Sequence, residues 1–497
     1  MNYLNPTVLT FILYIVLMIA IGVYAYRATT DFSDYILGGR SFGSLVTAFS
    51  AGASDMSGWL LMGLPGAIYL SGLSEAWIGI GLVIGAWLNW LFVAGRLRIH
   101  TEVQHNAMTL PDYFNNRFDD RKRILRISSA LIIIIFFSIY CASGMVAGAR
   151  LFESLFGMDY QTALWLSAIA TIIYVTIGGF LAISWTDTFQ AGLMLFALFL
   201  TPIFAYLAVS NDGYDVINYV QTVRPEAMQM LQGLSGVAII SSLAWGLGYF
   251  GQPHILVRFM AAKNVKTITM ARRIGMSWMI ICLLGSVGIG FFGIAFFQAN
   301  PDLAAPVTAN SETVFLQLTQ ILFNPWIAGV ILAAFLAAVM STLSSQLLVC
   351  STTITEDFYK VFIRKNASQN ELIWIGRIMV VVIAAVAIGM ASNPESKVLG
   401  LVSYAWAGFG AAFGPLIILS LMWKRMTLSG AVAGMVVGAA TVIFWKNLLG
   451  DTGVYEIIPG FILSTFAIVL VSLISKTPSS ETMARFEEAD RIYHKHS

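Results

Sequence analysis

Residues Ser41 to Gly72 read SFGSLVTAFSAGASDMSGWLLMGLPGAIYLSG. The stretch is apolar enough for a bilayer, yet its centre carries Ser50, Gly52, Ser54, Asp55, Ser57 and Gly58. As one straight helix it would extend roughly 48 Å, against a hydrocarbon core of about 30 Å. The spacing therefore predicts a broken helix, and unwound backbone at membrane depth is tolerated only where it is buried in protein or lines a cavity. Gly-interrupted spans point to a transporter's binding site. A carboxylate at midspan costs at least about 2.5 kcal/mol, so Asp55 needs a partner. On a helical wheel Ser50, Ser54, Ser57 and Gly58 share a face, which sets hydroxyls and uncovered backbone beside Asp55. That is an all-oxygen environment for a hard cation. The alternative is that the small residues only pack and that Asp55 is a neutral acid bonded to a neighbouring helix.

With 58% hydrophobic and 11% charged residues, the chain is an integral membrane protein, far from the roughly 25% charged residues of a soluble domain. Cys141, Cys282 and Cys350 all lie in apolar stretches without metal-ligand spacing, so neither a disulfide nor a metal site of that kind is expected. The N-terminus lacks a basic region and a cleavage site and reads as a retained first helix. Charges are sorted by loop and form no patch for nucleic acid, and nothing marks a protein partner.

Hydropathy predicts about thirteen spans, near 6–26, 43–72, 74–95, 124–149, 161–181, 187–208, 232–257, 274–297, 315–355, 372–391, 399–423, 428–446 and 454–475. Of the 28 Lys and Arg, all but Arg150, Arg224, Lys397 and Lys446 fall on one side of this layout. The asymmetry predicts an N-terminus outside and a cytoplasmic C-terminus. Pro111 opens a short interfacial helix capped by Thr109. The tail is too short for a catalytic or sensor-output domain.

Spans two to six and seven to eleven can be laid against each other as two copies of five, which must insert with opposite orientation because five is odd. The first member of the second half, SGVAIISSLAWGLGYFGQPHILVRF, is again broken, at Gly246, Gly248, Gly251 and Pro253. Span nine adds Ala334, Ala338, Ser341, Thr342 and Ser345 as a small, hydroxylated stripe on one face. Such a stripe serves close packing, with hydroxyls bonded back along the helix; with Asp55 on a broken helix, Ser341 and Thr342 are candidate cation ligands. Trp245 and Tyr249, beside the second break, and Tyr140 on span four are candidate walls of a small apolar pocket. Asp187 is either an interfacial N-cap or part of an ion path. His254 is the only histidine close to a span, so paired haem or metal ligands are missing.

The runs DFSDYILGGRSFG, TAFSAGASDMSGWLLMGLPGAIYLSG, NAMTLPDYF, YCASGMVAGARLFES, IGGFLAISWTDTFQA, WGLGYFGQPHILVRFMAA, ILFNPWIAGVILAAFLAAVMSTLSSQLLVCSTTITEDFYK and LVSYAWAGFGAAFGP resemble the sodium/solute symporter family over nearly the whole chain. The resemblance implies an all-α fold with a leucine-transporter-type core of five plus five inverted helices, one extra helix before it and two after it. The corresponding division is 1–40 for the first helix and loop, 41–209 and 230–423 for the repeats, 424–475 for the last two helices and 476–497 for the tail. It also implies a coupling sodium ion held by Asp55, the backbone of Ala53 and Met56, and Ala338, Ser341 and Thr342. A pocket for L-proline would be formed by Ser57, Gly58, Trp59, Tyr140, Trp245, Tyr249 and Pro253. Where the family often has Cys after STLS, this chain has Ser345, a conservative change.

The expected function is thus sodium-coupled import of L-proline across a bacterial cytoplasmic membrane by alternating access. Import of another small solute, or coupling to protons, is the alternative. A zwitterion suits a pocket region poor in formal charge, where half-helix ends meet carboxylate and ammonium. A redox or enzymatic subunit would need His pairs, a flavin or quinone site or a soluble catalytic domain. A channel stays open as a reading, since sequence does not say whether both gates open together.

Overall fold

The computed structural model describes residues 5–28, 36–231, 233–449 and 452–496, without the side chains of 25–28, 174, 177, 178 and 496. Residue 3 and the start of the DFSDYILGGR run, 31–35, therefore lie outside what is described, as do the side chains of Arg27 and Ile177. The protein is all-helical; among the described residues the one β-type pairing is an isolated bridge between Phe42 and Ala262.

Helix α1 is Pro6–Ala28. The stretch that decides the fold is broken, as its length requires: α2, Ser44–Asp55, ends at Met56, and after a π turn at Trp59–Gly63 the chain resumes as α3, Leu64–Ser71. Next come α4, Ala76–Leu88, a π turn at Asn89–Ala94, and α5, Gly95–Val103. The short α6, Leu110–Arg117, starts as expected, with Thr109 accepting from the Asp112 N–H at 3.1 Å. Helix α7 is Ile124–Phe156 and α8 is Tyr160–Asn211.

Spans five and six are distinct, as predicted, but they meet within α8 at a kink just before the expected gap at 182–186, at Gly179. Its φ of 67° is left-handed backbone that glycine adopts without a Cβ penalty. The short α9, Val216–Val223, leads to the second broken element: α10, Gly236–Leu243, a 3₁₀ stretch Ala244–Gly251, and α11, Pro253–Ala261. Then follow α12, Val265–Ala299, and α13, Val314–Leu322. The long predicted span 315–355 is divided here. Asn324 accepts from the N–H groups of Trp326 and Ile327 and Pro325 occupies the first turn, so a fresh helix, α14, runs Pro325–Thr353. Helices α15, Gln369–Met390, α16, Val398–Met422, α17, Leu428–Phe444, α18, Ile457–Ile474, and the polar α19, Ser480–His496, complete the chain.

Among the described residues ten helical stretches are long and apolar enough to cross a membrane, with Tyr160–Ile173 and Gly236–Gly251 as shorter apolar helices. Helix α2 with its break, the 3₁₀ stretch Ala244–Gly251 with α11, and α14 form the buried centre; α14 is nearly enclosed, while Leu13, Ile84, Leu284 and Phe466 are exposed apolar side chains on peripheral helices. In lipid such side chains carry no penalty, since the surrounding solvent is as apolar as they are.

Close approach fixes the second broken element. A Cβ on Gly85 would stand 2.0 Å from the Gly246 carbonyl oxygen, so α4 meets the 3₁₀ stretch at backbone distance. Helix α19 lies against α5 and its neighbours through three polar contacts: Arg96 to Asp490 at 2.5 Å, Lys424 to Glu487 at 3.0 Å, and Arg485 to His105 at 2.7 Å. Its Phe486 ring packs on His100 and under Arg117.

Candidate functional site

Helix α2 ends because Met56 adopts φ −76° and ψ 79°. The Ser57 N–H, which in a continuing helix would reach Ala53, bonds instead to the Asp55 carbonyl at 2.9 Å. The Ala53 carbonyl is thereby freed of its helical donor, the ordinary condition of a helix C-terminus. Two hydroxyls from α14 take its place: Ser341 Oγ donates to it at 2.7 Å and Thr342 Oγ1 at 3.2 Å. Ser341 Oγ also lies 3.1 Å from the Ala338 carbonyl. Ala53, Ala338, Ser341 and Thr342 thus converge, all fully or almost fully buried. Hydroxyls keep two acceptor lone pairs each, so this oxygen-rich cluster can ligate a hard cation with no charged side chain of its own.

The Asp55 carboxylate is turned to the other broken element. Its Oδ2 accepts a hydrogen bond from the Tyr249 hydroxyl, in the 3₁₀ stretch, and its Oδ1 has no protein partner. Trp59 Nε1 donates to the Asp55 carbonyl at 3.1 Å, bracing the break, and Ser57 Oγ accepts from the Trp59 N–H at 3.4 Å. The Tyr140 hydroxyl on α7 faces Ser57 and Trp59 without closing a well-formed hydrogen bond. Gly58 packs closely on both α7 and α14, since a Cβ there would meet Ala147 at 2.7 Å and Val339 at 3.4 Å.

The remaining sequence candidates separate. Trp245 stacks on Tyr455 with ring centroids 5.3 Å apart, and its carbonyl accepts from Trp406 Nε1 at 2.7 Å. Trp406 also stands edge-on to Tyr249 at 5.0 Å. Pro253 lines a different cavity, together with Pro111, Ile133, Phe180 and Val257. Trp406 and Tyr455 carried no role in the sequence reading, although the run LVSYAWAGFG, with a tryptophan among small residues, contained a usable signal.

Asp187 is neither an interfacial cap nor exposed. It is fully buried on α8 in a polar cluster: Ser50 Oγ donates to Asp187 Oδ2 at 2.7 Å, and Arg258 Nη2 lies 3.4 Å from the same oxygen. Arg258 also donates to Ser345 and, at 3.2 Å, to Ser50, while its Nη1 caps the His254 carbonyl at 2.8 Å. Arg258, counted by sequence among loop cations, is thus a buried ion-pair partner. A lone residue in a one-dimensional layout gives no sign of a carboxylate 71 positions away.

Other polar contacts tie the helices together. The Glu312 carboxylate accepts from the Val398 and Leu399 N–H groups at 3.0 and 3.1 Å, so a negative side chain caps the N-terminus of α16. Arg126 pairs with Asp357 at 2.6 Å and with Asp112 at 3.4 Å. Arg40 donates to the carbonyls of Met260 and Ala107 at 2.7 and 2.8 Å. Burial, and then the neighbouring Arg98, brings the Arg40 guanidinium down to about 10.

The chain is similar to characterised proteins over its full length. It is 64% identical over 490 residues to the sodium/proline symporter of Escherichia coli K12, covering 99% of this chain and 97% of that one. To the sodium/proline symporter of Haemophilus influenzae Rd it is 57% identical, with 98% of each chain covered. A high-affinity proline transporter of Bacillus subtilis 168 is 51% identical across 95% of this chain and 98% of its own. The fold matches that of a sodium-coupled sialic acid symporter in its substrate-bound outward-open state, with TM-score 0.82, 19% identity, and 96% and 100% of the two chains covered. The sodium:solute symporter model matches residues 35–438. With two broken helices around a hydroxylated third, and this likeness along its length, the chain belongs to the sodium:solute symporter family.

Proposed function

We propose that this protein imports L-proline together with sodium ions across a bacterial cytoplasmic membrane. The observation that carries the coupling ion is the Ala53 carbonyl, released by the end of α2 and met by Ser341 and Thr342. Rotating those two hydroxyls turns their lone pairs toward an ion beside the carbonyl. The proposed sodium ligands are the backbone of Ala53, Met56 and Ala338 with the Ser341 and Thr342 hydroxyls. Asp55 supplies the compensating charge nearby. The names carried by relatives at 51 to 64% identity favour proline over other small solutes.

The proline pocket is assigned to Ser57, Gly58, Trp59, Tyr140, Trp245, Tyr249 and Pro253. Pro253, in its separate cavity, would act from the flank of the pocket in this arrangement. The Tyr249–Asp55 bond makes the two broken helices one unit, so sodium binding at α2 is felt at the wall of the proline pocket. That link is what symport requires, because an ion that bound without regard to substrate would leak. One charge crossing 100 mV contributes about 2.3 kcal/mol and a tenfold sodium gradient about 1.4 kcal/mol. The sum supports roughly 500-fold accumulation of a neutral solute.

Repeat boundaries at 41–209 and 230–423, an N-terminus outside and a tail inside belong to the same reading. The positive-inside asymmetry and the position of the two broken helices support them. The deciding experiment is counterflow of labelled proline in proteoliposomes with sodium varied. Exchange is expected only with sodium present; exchange of equal rate in sodium-free buffer at any pH overturns the proposal.

A further inference from the structure

Asn89 is 1% exposed and neither its Oδ1 nor its Nδ2 has a protein partner. An unpaired buried amide costs about 1 to 3 kcal/mol, so such a group calls for an explanation. It sits at the first position of the π turn that follows α4. A π turn inside an α-helix adds a residue to one turn and re-aims the side chains there, and such turns concentrate at functional positions. Asn89 lines one cavity with Gly52, Asp55, Met56, Tyr249 and Met276. Asp55 brings a third unpartnered atom to that cavity, its Oδ1, while Oδ2 is held by Tyr249.

We propose that Asn89 is a positioning residue for Asp55, acting through one bound water between Asn89 Nδ2 and Asp55 Oδ1. The chemistry favours water over a second metal ion. A water accepts from the amide N–H and donates to the carboxylate in one step, whereas an ion could use only the two oxygens and would leave the amide N–H groups without an acceptor. Buried waters typically bridge polar groups that the protein itself leaves unpaired. With Oδ2 on Tyr249 and Oδ1 on this water, both carboxylate oxygens are fixed, and the charge that the sodium ligands require is held in one orientation. Asn89 is not among the residues assigned to the proline pocket, and it makes no hydrogen bond to the hydroxyl cluster on α14. Its effect therefore falls on sodium and not on substrate affinity.

The inference rests on the sodium-coupled reading above, and the test separates the two. Purified wild type, Asn89→Leu and Asn89→Ser are compared in detergent by equilibrium binding of labelled proline against sodium. Sodium alone is titrated by intrinsic tryptophan fluorescence, for which Trp59 beside Asp55 is a reporter. Leucine keeps the volume and removes the polarity; serine restores a hydroxyl and leaves space for additional water. Asn89→Leu is expected to raise the sodium needed in both assays about tenfold, the loss of one hydrogen bond to a charged group. Proline affinity at saturating sodium should stay within about twofold, and Asn89→Ser should recover most of the sodium response. A wild-type sodium requirement in Asn89→Leu, no recovery in Asn89→Ser, or parallel loss of sodium and proline affinity with a lowered melting temperature each overturns the proposal. Failure of wild type to bind proline under sodium, with the fluorescence shift between variants intact, counts against the proline reading alone.

Discussion

Tyr249 and Asp55 lie 194 positions apart in the chain, yet the hydroxyl of one donates to the carboxylate of the other at the heart of the protein. Each stands where its helix is broken, so the bond joins the two interrupted elements directly. Removing the hydroxyl while keeping the ring, Tyr249→Phe, should cost about 1.5 to 3 kcal/mol of sodium-site stabilisation, a hydrogen bond to a charged group. The sodium concentration for half-maximal proline uptake is expected to rise more than tenfold, with a smaller change in the proline requirement. Measuring both half-saturation values in proteoliposomes checks this. A shift confined to proline would return Tyr249 to a purely aromatic role.

Asp55→Asn is expected to abolish concentrative uptake, and Asp55→Glu to keep part of it. Ser341→Ala and Thr342→Ala each remove a hydroxyl from the freed Ala53 carbonyl. Each should raise the sodium requirement by about tenfold or more. Uptake is measured against sodium at fixed pH and against pH at fixed sodium. Full activity driven by a pH gradient in sodium-free buffer would sink sodium coupling.

Asp187→Asn leaves the Arg258 guanidinium fully buried without its counter-ion. Breaking one half of such a pair typically costs about 3 to 5 kcal/mol. The melting temperature of the detergent-solubilised protein should fall clearly. The double variant Asp187→Asn with Arg258→Gln should fall less than either single change, since no lone charge remains. Additive losses in that cycle would show that the pair is not coupled.

The Glu312 cap on α16 predicts a gate effect. Glu312→Gln keeps an acceptor and loses the charge at the helix N-terminus, a change of about 1 kcal/mol. Ser57→Cys should then react several-fold faster with an impermeant thiol reagent added from outside. The three native cysteines are buried and give little background. Unchanged labelling would remove Glu312 from the gate.

Orientation is tested with single cysteines near residue 3 and at the exposed Glu488 of α19. Only the first should label from outside intact cells. Equal labelling of the tail would overturn the topology.

The sequence made Asp55, Ser341 and Thr342 legible because polar oxygen in an apolar span has few reasons to exist. The break at Gly52–Gly58 was legible from length and composition. The division of span 315–355 had a local signal that was not used, Asn324–Pro325, a cap followed by the residue suited to the first helical turn. Pairings were not legible. Tyr249 read as an aromatic wall and Arg258 as a loop charge, because each owes its role to a partner on another helix. Asn89 was silent for the same reason: an amide beside a tryptophan looks like many interfacial residues until its neighbours are known.

Helix α19 has a consequence for how the molecule is made. Arg96, Lys424 and His105 find their partners on Asp490, Glu487 and Arg485, residues translated after every spanning segment. While the ribosome is still at work, the face formed by α5 and its neighbours carries the unmatched cations Arg96 and Lys424, leaves His105 without its donor and His100 uncovered by Phe486. A helix synthesised after the described spanning segments is the one that fastens that face. A nascent protein stalled a few residues early would hold all its membrane helices and still offer a quality-control protease an unfastened edge.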